Sequence, residues 1–231
     1  MSEGSASVRR MGEFVATSAF RTDNADQVLA SVERYVRAHG WSTTSVGESY
    51  DYENDVLQFA PAGGWSVVLW PTYFSDVPAA RFVSDELGVV ASTVHIHDGD
   101  YWAHTLVRDG AVLDRFASMV DYFTDDLAVV AHLRRGWSGD PAVVASAFGR
   151  SVEELRPYLV HIDLGDDDEE EPPSVKAFPD DEFTLDNAWV FVDFWRRLGI
   201  TYPADVGGFA GRLALTKDWF GKLPEGEEGD L

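Results

Sequence analysis

His95-Ile96-His97-Asp98-Gly99-Asp100-Tyr101-Trp102-Ala103-His104 is the stretch that decides the fold, with a second Asp-Gly step following at Asp109-Gly110. Residues alternate on both sides of each step, and Asp-Gly favours two-residue hairpin turns, so Val89 to Phe116 reads as a three-stranded meander. A two-residue turn at Asp98-Gly99 pairs His97 with Asp100, His95 with Trp102 and Thr93 with His104. The second turn pairs His104 with Arg115. One face then carries Val94, Ile96, Tyr101, Ala103, Val107, Val112 and Phe116 as core. The other carries Thr93, His95, His97, Asp100, Trp102, His104 and Arg115, the face on which function is expected.

Outward from the meander, residues 13–60 read strand–helix–strand–strand and residues 65–116 read strand–helix–strand–strand–strand. The first helix follows Asp23 or Asn24, carries Val28, Leu29, Val32, Tyr35 and Val36 on one face and stops at Gly40. The second runs from about Asp76 to Leu87 and stops at Gly88. Beyond Phe116 the pattern turns helical: Thr124 to Arg135, then Asp140-Pro141 opening a helix to Phe148, then Ser151 and Glu154 at capping-box spacing. A last helix is predicted from Leu185 to Leu198, capped by Thr184. The fold class expected is α+β: a mixed or antiparallel sheet from two strand–helix–strand–strand units, helices packed on one face, followed by a mainly helical C-terminal part. The predicted organisation is a disordered N-terminus (1–12), an α+β domain with C-terminal helices (13–162), an acidic linker or loop (163–182), a helical segment packing on the domain (183–223) and an acidic tail (224–231).

The chain has 231 residues, a net charge of −22 and no cysteine. Disulfides, thiolate nucleophiles and cysteine-ligated metals are therefore excluded, and a reducing, cytoplasmic setting is expected. No run approaches the roughly 18 apolar residues of a membrane span, so no membrane partner is expected. The charge repels nucleic-acid phosphate and no basic patch offsets it, so no nucleic-acid partner is expected either. Residues 163–231 hold 18 acidic against 6 basic side chains. Asp163 to Glu171 is the densest part, suited to a solvated linker or to mimicry of nucleic acid.

Two histidines and a carboxylate form the ligand set of non-haem iron sites, so His95, His97 and Asp100 are the candidate ligands for a divalent metal, with His104 as an acid–base group. The alternative for the same face is recognition of a protein, centred on Trp102 and Arg115 with His95, His97 and His104 around them. No Gly-x-Ser-x-Gly elbow occurs, Gly207 to Arg212 lacks a phosphate-binding lysine and reads as a turn, and Tyr50 to Asp55 lacks the calcium-loop pattern.

His97 to Phe123, with Asp-Gly-Asp-Tyr-Trp, Thr-Leu-x-x-x-Gly, Leu-Asp-Arg-Phe and Asp-Tyr-Phe, resembles a pattern that recurs in uncharacterised bacterial proteins. Trp137 to Asp140 and Tyr158 to His161 extend it. The resemblance implies a bacterial α+β domain and transfers no catalytic residue. In composition the chain is also similar to the immunity proteins that neutralise bacterial toxins: small, acidic, Trp-rich and cysteine-free. The expected function is an interaction module for another protein, immunity-like or regulatory, with no cofactor. The alternative is a metal-dependent enzyme acting on a small molecule through His95, His97 and Asp100.

Overall fold

The computed structural model describes residues 13–44, 49–162 and 174–221. Seven antiparallel strands form one sheet in the order β6-β5-β4-β1-β3-β2-β7. They are β1 (Val15–Phe20), β2 (Asp55–Gln58), β3 (Ser66–Leu69), β4 (Val90–His97), β5 (Tyr101–Arg108), β6 (Ala111–Ala117) and β7 (Gly211–Ala214). The fold is α+β, as expected. No helix of the described residues is long and apolar enough to cross a membrane.

Helices cover both faces of the sheet. Helix α1 (Ala25–Ala38) starts where the Asn24 side chain accepts the Gln27 N–H, and α2 (Asp76–Leu87) stops at Gly88, whose φ of 62° suits glycine. Their apolar stripes, including Val28, Val32, Val36, Ala80 and Val83, pack on Ala16, Phe20, Val56, Val68, Ala91 and Val107. The alternate residues of the same strands, Ala19, Leu57, Val94, Ile96 and Leu106, face the other way. They are covered by α4 (Pro141–Phe148), α5 (Val152–Leu155) and α6 (Val190–Leu198). The Asp140 cap, the Pro141 first turn and the Ser151–Glu154 capping box form as predicted. Helix α3 (Leu127–Gly136) lies outside these layers and buries no residue.

The meander departs from its predicted register, and the cause is local. Asp98 and Gly99 both have positive φ (55° and 78°) and the Asp100 N–H donates to the His97 carbonyl at 3.1 Å, so the two-residue turn forms. Asp100 is then left out of the ladder. His97 pairs with Tyr101, Ile96 with Trp102 and Val94 with His104. A bulge of this kind shifts parity, and every residue of β5 changes face. The Asp109-Gly110 turn pairs Arg108 with Ala111 and Val107 with Val112 as predicted, but Leu113 is then skipped and His104 meets Phe116 in place of Arg115.

Three more differences lie outside the meander. Within 41–44, where a strand is predicted to begin, only Thr43 bridges, to Leu215. The glycine-rich turn after Asp205 leads into strand β7 on the edge of β2, inside the segment expected to be helical. Helix α6 starts only at Val190: the Leu185 N–H donates to the Val175 carbonyl (2.8 Å) and Asn187 Oδ1 accepts the Trp189 N–H (2.8 Å), which keeps residues 185–189 in turns, while Asp193 accepts the N–H groups of Glu182 and Phe183 (2.9 and 2.8 Å). The predicted N-terminus (1–12), the acidic run 163–171 and the tail (224–231) lie outside the described residues.

Candidate functional site

The bulge at Asp100 separates the residues predicted to share a face. His95 and His97 remain together, on the side of the sheet that carries α1 and α2. Trp102 and His104 are carried to the opposite side and buried. Trp102 is 1% exposed, against Phe116 (ring centroids 4.9 Å) and Phe194 (5.5 Å), so it is a core residue and not the centre of a surface. His104 Nε2 lies 2.9 Å from Ser92 Oγ, which also accepts the Trp195 indole N–H at 3.0 Å. Burial lowers the His104 pKa to about 3, so the ring is neutral. Arg115 lies half-buried over the Trp137 ring at 5.2 Å, paired with Thr105 and therefore well along the sheet from His97.

The predicted metal ligands point to different partners. His95 Nδ1 is 3.9 Å from Asp76 Oδ1, at the start of α2. Asp100 accepts the Tyr122 hydroxyl at 3.0 Å. His97 is wrapped in aromatic rings. Among the described residues no group of three or more histidine, aspartate or glutamate side chains is arranged to hold a metal ion.

Asp76 closes a buried polar chain under α2. Trp70 Nε1 donates to Ser18 Oγ (2.7 Å), Ser18 and Thr93 share a hydroxyl hydrogen bond (2.7 Å), and the Thr93 hydroxyl donates to Asp76. Burial raises the Asp76 carboxyl from 3.8 to about 7, with the Thr93 hydrogen bond opposing the rise. This chain pins the start of α2 to the middle of the sheet, where β1 and β4 pair side by side. It has no nucleophile within it other than hydroxyls already hydrogen-bonded to one another.

Beyond Asp76, at the end of the sheet where β4 turns into β5, a ribbon of rings crosses one strand after another. Tyr73 follows β3, Phe14 precedes β1, His97 ends β4, Tyr101 begins β5, and Tyr122 with Phe123 follows β6. Adjacent centroids are 4.5 Å (Tyr73–Phe14), 4.6 Å (Phe14–His97), 5.6 Å (His97–Tyr101) and 4.9 Å (His97–Phe123). Phe220 extends the ribbon beyond Tyr73 at 6.2 Å. These separations suit the quadrupolar attraction of edge-to-face and offset rings.

The two ends of this ribbon are open to solvent: Tyr73 is 58%, Phe123 55% and Phe220 59% exposed. Tyr73 also has φ 65°, a left-handed conformation that a bulky side chain adopts at a cost of about 1–3 kcal/mol. Asp98 and Asp100 stand beside the middle of the ribbon, where the Tyr122 hydroxyl donates to both (3.3 and 3.0 Å). Burial and these two carboxylates raise the Tyr122 pKa to about 12. Desolvation lowers the His97 pKa, opposed by Asp98 and Asp100.

Of this set the sequence predicts only His97 and Asp100 as site residues. Phe14, Tyr73 and Phe220 carry no local signal; sheet order alone brings them together. Tyr122 and Phe123, the Asp-Tyr-Phe part of the recurring pattern, lie within the ribbon. No protein-family model, no curated protein and no solved structure matches this chain.

Proposed function

We propose that this chain is a protein-interaction module and that the aromatic ribbon is its contact surface for a basic partner. The observation that carries it is three rings, each more than half exposed, on one continuous line of ring contacts beside Asp98 and Asp100. Aromatic faces next to carboxylates attract arginine and lysine through both cation–π and charge interactions, and aromatic residues are the anchors of protein interfaces. Strain held at an exposed tyrosine is of no use to the core and fits a side chain positioned for a partner. The net charge of −22 accelerates encounter with such a partner. An acidic, Trp-rich composition of the immunity-protein kind fits the same role.

The test uses defined probes: basic nonapeptides carrying a leucine or aromatic residue, with acidic peptides of the same design as controls, titrated into isotope-labelled protein. The expected result is a set of chemical-shift changes at Tyr73, His97, Tyr122 and Phe123 with the basic peptides only. Tyr73→Ser with Phe123→Ser removes them while the far-UV spectrum is unchanged. Shifts that survive the double substitution, or that fall mainly on 163–171, refute the ribbon as the contact surface.

A further inference from the structure

We infer that the chain pairs with a second copy of itself through helix α3, antiparallel and across a two-fold axis. α3 begins four residues after Phe123 and its inner side rests on Tyr101, but the outer side on which the pairing is inferred carries none of the ribbon's rings.

α3 is the only described helix of eight or more residues with no buried residue. Val130 and Leu133 rest half-buried on the cluster of Tyr101 and Trp137. The outer side presents Leu127, which is 84% exposed, with Ala128, Ala131, His132 and Arg135. Leaving a leucine in water at the start of a helix forgoes burial that a partner surface would supply.

The charges on α3 identify that partner. Asp125 and Asp126 stand at its N-terminal end, Asp126 accepting the N–H groups of Ala128 and Val129 at 2.8 and 3.2 Å. Arg134 and Arg135 occupy its last turn. A surface of one sign complements only one end of such a helix. A second copy laid antiparallel complements both ends at once, and the two helix dipoles then also oppose head to tail.

Position along the helix agrees with this. At 1.5 Å per residue, Leu127 and Arg135 are about 12 Å apart and equally spaced about Ala131. An antiparallel pair centred on Ala131 sets Leu127 of each copy against the aliphatic stem of Arg135 of the other, with the guanidinium reaching Asp125. Ala131 and the neighbouring Ala128 keep the centre low, so the axes can approach to the lower end of the usual 8–10 Å. A ten-residue helix covers less than the ~800 Å² per partner of a stable complex, so the dimer is weak, with a dissociation constant of roughly 10–100 μM.

Sedimentation velocity of the full chain over a concentration series spanning that range is the test. The expected result is a reversible shift from monomer to dimer. Leu127→Asp, Arg135→Glu and Asp125→Arg each weaken it at least about tenfold, with unchanged far-UV spectra because all three side chains are exposed. Mixing the Arg135→Glu protein with the Asp125→Arg protein restores the dimer, since both cross-helix pairs are then of opposite sign. A monomer at every concentration overturns the proposal. So does a dimer indifferent to these substitutions, or a mixture of the two charge variants that fails to pair.

Discussion

Deleting Asp100 and truncating Trp102 together test the register on which the site depends. Trp102 is buried between Phe116 and Phe194, and replacing a buried aromatic with alanine costs about 3–5 kcal/mol through lost transfer energy and the cavity left behind. The predicted pairing, with His97 opposite Asp100, would put Trp102 on an open face, where truncation costs less than about 1 kcal/mol. Deletion of Asp100 has the opposite logic. With His97 already paired to Tyr101, removing the bulged residue leaves a two-residue Asp98-Gly99 loop and the same ladder. The loss is one exposed hydrogen bond from Tyr122, on the order of 1 kcal/mol. Had Asp100 occupied a place in the ladder, its deletion would turn the whole of β5 over and unfold the meander. Urea unfolding followed by far-UV dichroism measures both variants. A Trp102→Ala loss below about 1 kcal/mol, or an Asp100 deletion that fails to fold, refutes the bulged register.

Asp76 makes stability fall as pH rises: its carboxyl titrates near 7 when folded and near 3.8 when unfolded, so its contribution is complete below about pH 4 and lost by about pH 7. At 1.36 kcal/mol per unit the ceiling is about 4 kcal/mol; Asp76→Asn should flatten this decline in urea midpoints measured from pH 4 to 8, and an unchanged slope would mean the buried carboxyl is ionised throughout. Asp181, with no exposed side-chain surface, accepts the Tyr158 hydroxyl and both Arg196 and Arg197 at 2.8–2.9 Å. Asp181→Ala takes the acceptor from the buried Tyr158 hydroxyl and from the Phe178 N–H while Arg196 and Arg197 keep Asp180, and should cost about 1–3 kcal/mol in the same assay, whereas a loss under about 0.5 kcal/mol would show the cluster to be solvated.

What the sequence carries well are features written within a few consecutive residues. The Asn24 and Asp140 caps, the Ser151–Glu154 box and the Gly88 stop each need only one turn of helix to be recognised, and all lie where predicted. The bulges at Asp100 and Leu113 leave no such trace. One extra residue preserves the look of alternation while changing its parity, and parity is normally read from which alternate residues are apolar. Here that signal fails because both faces of β4 and β5 are buried. Ile96 and Tyr101 are apolar or aromatic on opposite faces, as are Trp102 and Ala103, so either register looks amphipathic enough. Strand β7 is missed for another reason: four residues opening with a glycine on a sheet edge fall below the length at which periodicity is visible.

The bulge ties the core to the surface. By swinging β5 through one residue it sends Trp102 and His104 under α6 and brings Tyr101 to the face of His97, where Tyr101 links the sheet to Tyr122 and Phe123. Asp100, released from the ladder, becomes an acceptor for Tyr122 beside those rings. A ladder without the bulge would place Trp102 next to His97 and bury Tyr101 beneath α6, dividing the ribbon between two faces. Bulges persist in sheets where they re-aim side chains, and here one residue left out of the pairing fills the second core and assembles the line of rings along the sheet end. That coupling is why a face predicted to hold three histidines holds, in the folded chain, two: His95 beside Asp76 and His97 among aromatics.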